Sequence, residues 1–314
     1  FAMIWKEANK RFDEYGNDKI VGTNGFYAMK AHWNEHPDRD EAWAEQERSR
    51  IGEERFRREH ECEFLIFDET LISSLVLADM EGVPPVETTG QVRWYKRPTP
   101  GHTYMVSLDP SMGTGGDFAA IQVFELPTFE QIGEWQHNQT PMNQQVRILQ
   151  GINKHIHDTI MEKDSTATPQ IFYSMENNSI GEAALMRVMD IGEENIQGMF
   201  LSEPIRKGHR RKFRRGFNTT AKHKIDACTK FKELVENDKM KIHSKLLISE
   251  LKDFVASGLS YKAKPGQHDD LVSACLLMTR MMKVLADFDP KIFEKWTDRT
   301  SEITPMPIFG SFTG

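Results

Sequence analysis

The segment MVSLDPSMGTGGDFAAIQVF, residues 105–124, constrains this chain most tightly. Two apolar runs with strand character, HTYMVSL (102–108) and FAAIQVFEL (118–126), flank a glycine-rich turn. An acid stands at each margin of that turn, Asp109 and Asp117. QIGEWQH (131–137) predicts a third strand, so the three form a meander. Downstream the pattern alternates. Val146, Leu149, Ile152 and Ile156 recur at spacings of three and four, which predicts a helix over 142–160. A strand is expected over 171–176, a helix over 181–192 and a strand over 195–201. Helices are expected over 224–236 and 246–255. A strongly apolar helix over 271–285 opens directly after HDD, residues 268–270. Three strands followed by alternating helix and strand specify an α/β domain with a mixed sheet. Upstream, residues 40–58 read as a helix with sparse apolar anchors, and ECEFLIF (61–67) as a short strand. VPP, TTG and KRPTPG between 83 and 101 are turn signals. They set a connector over 68–91 and the start of the main domain near residue 92.

Three acidic positions share one setting. Asp109 and Glu176 each close a strand, and Asp269 and Asp270 open the last apolar helix. Sites in open sheets gather beyond the carboxyl ends of parallel strands. If the first two strands are neighbours, Asp109 and Glu176 converge and the helix delivers Asp270 to the same point. Gathered carboxylates repel one another, and a hard divalent cation removes that cost. Two such ions would activate a water and stabilise a leaving oxygen at phosphorus. Each acid also has a plain structural reading. Asp109 before Pro110 suits a turn. Glu176 precedes a possible cap at Ser179, and Asp269 and Asp270 suit a helix start. Asp117 is either a fourth ligand or part of the glycine turn. His268 reads as a helix-entrance residue. The chain has no GxxxxGK[ST] and no full G-x-G-x-x-G, so the glycines read as a tight loop allowing close approach to Asp109.

The stretch IRKGHRRKFRRGFNTTAKHK (205–224) carries nine basic residues and no acid: Arg206, Lys207, Arg210, Arg211, Lys212, Arg214, Arg215, Lys222 and Lys224. Gly208 and Gly216 argue for an exposed loop or hairpin. A solvated surface and a track for DNA phosphates both fit. The net charge of −7 argues against a general nucleic-acid coat but not against a local basic groove. Three cysteines far from one another exclude a disulfide scaffold and fit a reducing compartment. No apolar run is long enough to span a bilayer, so no membrane partner is expected. Length and a hydrophobic content of 39% allow one or two domains with a real core.

LDPSMGTGGD (108–117), FYSMENN (172–178), GFNTTAKHK (216–224) and HDDLVSA (268–274) resemble, in order and spacing, the nuclease domain of the large terminase subunit. This is the DNA-packaging motor of tailed, T4-like bacteriophages, and the resemblance covers residues 92–286. It implies a ribonuclease H-like fold and a Mg²⁺- or Mn²⁺-dependent endonuclease with two ions. Its three acidic ligands fall on Asp109, Glu176 and Asp270, with Asp269 and Asp117 nearby and Lys224 at a position often basic. It implies cutting of concatemeric double-stranded viral DNA in the host cytoplasm, on the procapsid, with a portal protein and a small terminase subunit as partners. Residues 1–67 resemble the end of that family's ATPase domain, whose nucleotide motifs belong upstream of residue 1. ATP hydrolysis by this chain alone is therefore not expected, and the chain reads as the C-terminal piece of a longer protein, with 287–314 as a tail. A junction-resolving or repair nuclease on the same fold, and a non-catalytic DNA-clamping or portal-docking module, remain alternatives.

Overall fold

The computed structural model describes residues 2–10, 20–62, 69–178, 180–203 and 215–288. Contacts divide the chain into two units: residues 1–67 with 74–79, and residues 68–73 with 80–314. In the first unit the helices are α1 (Ala2–Ala8), α2 (Glu41–Ile51), α3 (Glu53–His60) and α4 (Ser74–Asp79). The single helix expected over 40–58 is thus two. Asp40 accepts a hydrogen bond from Trp43 N at 2.8 Å and starts α2. Gly52, at φ +84°, ends it, a conformation that costs glycine little. Trp33, Ala44 and Phe56 form a small core with Trp43 and Ile51 packed against it. The strand expected over 61–67 lies, from Glu63 onward, outside the described residues.

The second unit is built on a sheet of seven described strands: β1 (Glu87–Thr89), β2 (Val92–Trp94), β3 (Thr103–Asp109), β4 (Ala119–Leu126), β5 (Glu130–His137), β6 (Gln170–Met175) and β7 (Met199–Phe200). Their order is β1-β2-β5-β4-β3-β6-β7. All pairings are antiparallel as far as β3, and β3–β6 and β6–β7 are parallel. The expected meander is β3–β5. The change to parallel pairing comes where α5 (Met142–Lys163) crosses over from β5 to β6.

Side chains alternate across β3. Tyr104, Val106 and Leu108 join Val146, Leu149, Ile152 and Ile156 of α5 and Ala184, Leu185 and Val188 of α6 (Gly181–Ile191) in one buried core. The other face carries Met105, Ser107 and Asp109. There α9 (Asp270–Phe288) packs on β3 and β4, with α7 (Ala221–Glu236) and α8 (Lys245–Asp253) beside it. Ser107 is paired with Ser174 of β6, and its hydroxyl donates to Ala274 O of α9 at 2.8 Å. Both faces are covered, and all of β3 except Asp109 is buried, as expected of a central strand.

Several boundaries differ from the sequence expectation. The connector over 68–91 contains α4 and the outermost strand, β1. Helix α7 begins three residues before Lys224, because the Thr220 hydroxyl accepts from His223 N and caps it. Helix α8 stops at Asp253. Phe254–Ser257 instead forms β8, paired with β9 (Ser260–Ala263). Leu71 N and Ala256 N bond to Phe254 O and Glu69 O, so a non-local pairing holds Phe254 and Val255 extended. The strand expected over 195–201 is two residues long. Gly198, at φ +105°, lies against Ile171, where a Cβ would stand 2.6 Å from the carbonyl oxygen.

Candidate active site

Parallel register places the two strand-terminal acids together. Leu108 pairs with Met175, so Asp109 and Glu176 leave β3 and β6 at the same level. Both share the α9 face with Ser107 and Ser174. Glu176 N donates to Leu108 O at 3.1 Å, and Glu176 bridges to Phe217 on its other side. The Asp109 and Glu176 carboxyl groups are close enough to act on each other. Burial, then the charge of Glu176, then those of Asp270 and Asp269 push the Asp109 carboxyl well above the ordinary range. Asp270, in the first turn of α9, is pushed up to about 6, chiefly by burial and secondarily by Asp269 and Asp117. Its Oδ2 is buried without a hydrogen-bond partner among the described residues. Asp109 and Glu176 therefore stand side by side, and the charge of Asp270 acts on Asp109 from the start of α9.

Neighbouring backbone fixes each of them. After Asp109 the chain is braced by buried Gln145, whose amide donates to Ser111 O and Thr140 O at 2.8 and 2.7 Å. Gly113, at φ +68°, passes so close to Thr140 that a Cβ would lie 2.2 Å from its carbonyl oxygen. The glycine-rich turn thus serves a close backbone approach. After Glu176, Asn178 Oδ1 accepts from Ile180 N and Gly181 N at 3.0 and 2.8 Å. Asn178 therefore takes the capping part expected of Ser179, which lies outside the described residues. Asn178 Nδ2 also donates to Glu176 Oε2 at 3.2 Å. The start of α9 is held from α8, where Glu250 accepts from Val272 N at 3.1 Å and from Gln136 Nε2 at 2.8 Å.

The other sequence-derived residues divide. Asp269 accepts from Ala263 N at 3.3 Å and stands 3.8 Å from Lys224 Nζ. Asp117 is exposed in the glycine turn, near enough for its charge to act on Asp270. His268 Nδ1 is 3.6 Å from Asp270 Oδ2, and its ring meets Phe118 edge-on. Lys224 lines a cleft of about 170 Å³ with Asp109, Glu176, Thr219, Ser273 and Arg280. Lys222 is exposed on the first turn of α7. Arg215 is ion-paired with Glu193 and lies over Phe200. Arg206, Lys207, Arg210, Arg211, Lys212 and Arg214 lie outside the described residues. For Lys222 the expectation of a loop or hairpin is corrected to helix, while Lys224 lies in the helix expected from 224 onward. Gln145, Glu250 and Arg280 were not singled out from sequence. Arg280 had a signal: Ser273, Leu276, Leu277 and Arg280 make one helical stripe, and Arg280 is the first cation of an apolar helix.

A family model for the terminase RNaseH-like domain matches residues 106–281, more than half of the chain. The chain belongs to the terminase RNaseH-like domain family. Its mixed sheet flanked by helices is the ribonuclease H-like fold of large-terminase nuclease domains. Solved structures similar to it include the large terminase nuclease from thermophilic phage G20c. That match is 18% identical, covers 67% of this chain and 96% of that one, and has a TM-score of 0.49. The large terminase nuclease domain of Thermus phage P74-26 is 16% identical, with 64% and 90% covered and a TM-score of 0.44. The human cytomegalovirus terminase nuclease domain is 12% identical, with 67% and 94% covered and a TM-score of 0.41.

The terminase site fits divalent ions chemically. Its donors are hard carboxylate oxygens. Ionisation of Asp109 and Asp270 is opposed by burial and mutual repulsion, and Asp270 Oδ2 is an orphaned buried acceptor. A cation reverses each of these penalties. Among the described residues no three acidic, histidine or cysteine side chains already stand in ligating geometry.

Proposed function

We propose that the second unit is a divalent-metal-dependent DNA endonuclease that cuts concatemeric viral DNA during genome packaging. One observation carries this reading: Asp109 and Glu176 meet at the carboxyl ends of adjacent parallel strands, where α9 adds Asp270. Asp109, Glu176 and Asp270 would hold the Mg²⁺ or Mn²⁺ ions, two of them by the motif resemblance, with Asp269 and Asp117 supporting the negative potential. Bound there, the ions would supply Lewis-acid stabilisation of a phosphodiester under attack by water. The chain's own residues do the rest. Lys224 faces the acids across the cleft and offsets charge on the incoming strand. Buried Gln145 and the half-buried Asn178 and Glu250 hold the three acid-bearing backbones. Lys222, Arg215 and the basic residues of 206–214 track the DNA backbone, which positions a duplex without reading its sequence.

In this reading residues 1–67 are the remainder of an ATPase domain, 68–91 its linker to the nuclease at 92–286, and 287–314 a tail. A portal protein and a small terminase subunit are its partners on the procapsid in the host cytoplasm. Family membership over residues 106–281 supports the nuclease assignment, and the motif resemblance alone supports the others. A plasmid assay tests the chemistry. Supercoiled DNA is expected to become nicked and linear with Mg²⁺ or Mn²⁺ and to stay intact with EDTA. Asp109→Ala should cut no faster than the EDTA control while still retarding DNA in a gel. Metal-dependent cutting that survives Asp109→Ala overturns the assignment.

A further inference from the structure

The cleft beside the acids has a second wall that the proposed chemistry leaves unused. Arg280 projects from α9 opposite Asp109 and Glu176, and its side chain is only 11% exposed. Its guanidinium is held on three sides. Nη1 donates to Thr219 Oγ1 at 2.9 Å, Nη2 donates to Asn218 O at 3.1 Å and stands 3.3 Å from His223 Nδ1, and the Phe217 ring lies 5.2 Å from Cζ. These contacts fix its direction. The acidic partner is of another kind. Glu203, from beyond β7, forms an ion pair with Nη2. The Glu203 side chain is 30% exposed, and it is tied otherwise by a 3.3 Å bond from Asn218 N and a 3.7 Å approach to His223.

We infer that Arg280 is a seat for a DNA backbone phosphate and that Glu203 occupies this seat when no DNA is bound. The argument rests on the nuclease reading above and identifies how that site admits its substrate. A polyanion entering between Asp109, Glu176 and Asp270 meets repulsion, so a cation must stand where a flanking phosphate passes. Lys224 and Arg280 both line that wall, and each carries a carboxylate, Asp269 and Glu203. A guanidinium fork suits phosphate as well as carboxylate. Exchange of one anion for the other leaves the buried guanidinium paired throughout. An arginine bared to accept DNA would instead lose its partner inside a largely enclosed cleft. Thr219 and Asn218 keep the fork aimed while the anion changes.

Binding of a fluorescent duplex oligonucleotide in EDTA, titrated with KCl from low to moderate salt, tests this without any cutting. Glu203→Gln should tighten binding several-fold, and Arg280→Gln should weaken it roughly tenfold. The salt slope of Arg280→Gln should fall by about one phosphate contact. In the double variant most of the gain from Glu203→Gln should vanish, since its ion pair is with Arg280. Arg280→Lys should fall between, keeping the charge but losing the fork. An equal gain from Glu203→Gln with or without Arg280 would reduce Glu203 to a bystander charge and overturn the inference. So would an unchanged slope in a folded Arg280→Gln protein. If Arg280→Gln fails to fold, Glu203→Gln decides alone: tighter binding with a steeper slope supports the seat, and unchanged binding removes it. Loss of nuclease activity in the plasmid assay leaves this binding result standing, so the two readings fail separately.

Discussion

Single side chains show the conflict between stability and chemistry most directly. Asp270 is raised from 3.8 to about 6, mainly by burial. Between those values the folded state holds a proton that the unfolded chain has released. The favourable contribution is therefore complete below about pH 4 and is lost as pH rises to about 6. Asp109, also raised, by burial and by Glu176, adds a loss of the same sign. In EDTA, Asp270→Asn should melt above the parent, with an advantage that grows from pH 4 to 6 and then levels at about 1–3 kcal/mol. Millimolar Mg²⁺ should shrink or reverse that advantage, because only the parent holds its full ligand set. An advantage independent of pH would mean that Asp270 is not strained by its charge. At this scale Asp109, Glu176 and Asp270 were legible, since each sits at the end of a patterned element. Gln145, Glu250 and Arg280 were not. Each lies inside a helix, where the sequence shows a polar residue but not which distant backbone it meets.

At the scale of elements, the placement of Glu176 depends on how closely α6 approaches the end of β6. A Cβ on Gly181 would stand 1.8 Å from Glu176 O, a distance that only movement of the helix or the strand end can relieve. Gly181→Ala should therefore cost on the order of 2–4 kcal/mol in denaturant midpoint analysis and reduce DNA cutting more than DNA binding. A variant as stable as the parent would show that the contact is loose. The elements themselves were largely readable from apolar spacing, and the meander, α5, α6 and α9 fell where periodicity put them. Misreadings came where something outside the local window decides. Thr220 starts α7 early, Gly52 splits the helix expected over 40–58, and residues 69–71 draw Phe254 and Val255 out of a helix and into β8. The β8–β9 hairpin turns at Gly258 and Leu259, a short glycine-containing turn between β-branched and aromatic residues that the sequence did display.

For the whole molecule, the second unit has its own core on one face of the sheet and helices covering the other. A fragment of residues 69–288 is expected to unfold in one cooperative transition by circular dichroism and to cut plasmid at the rate of the full chain. A broad, non-cooperative melt would show that its integrity depends on the preceding residues. Mixed pairing also sets how such a site can change over generations. Asp109 and Glu176 reach their common face only because Leu108 sits opposite Met175. A one-residue insertion within β3 would turn Asp109 toward the apolar layer and Leu108 toward α9. The position of the acid along this strand is therefore quantised in steps of two residues. Lineages can redraw the surrounding loops freely, but they inherit the phase of β3 intact or lose the juxtaposition of Asp109 and Glu176.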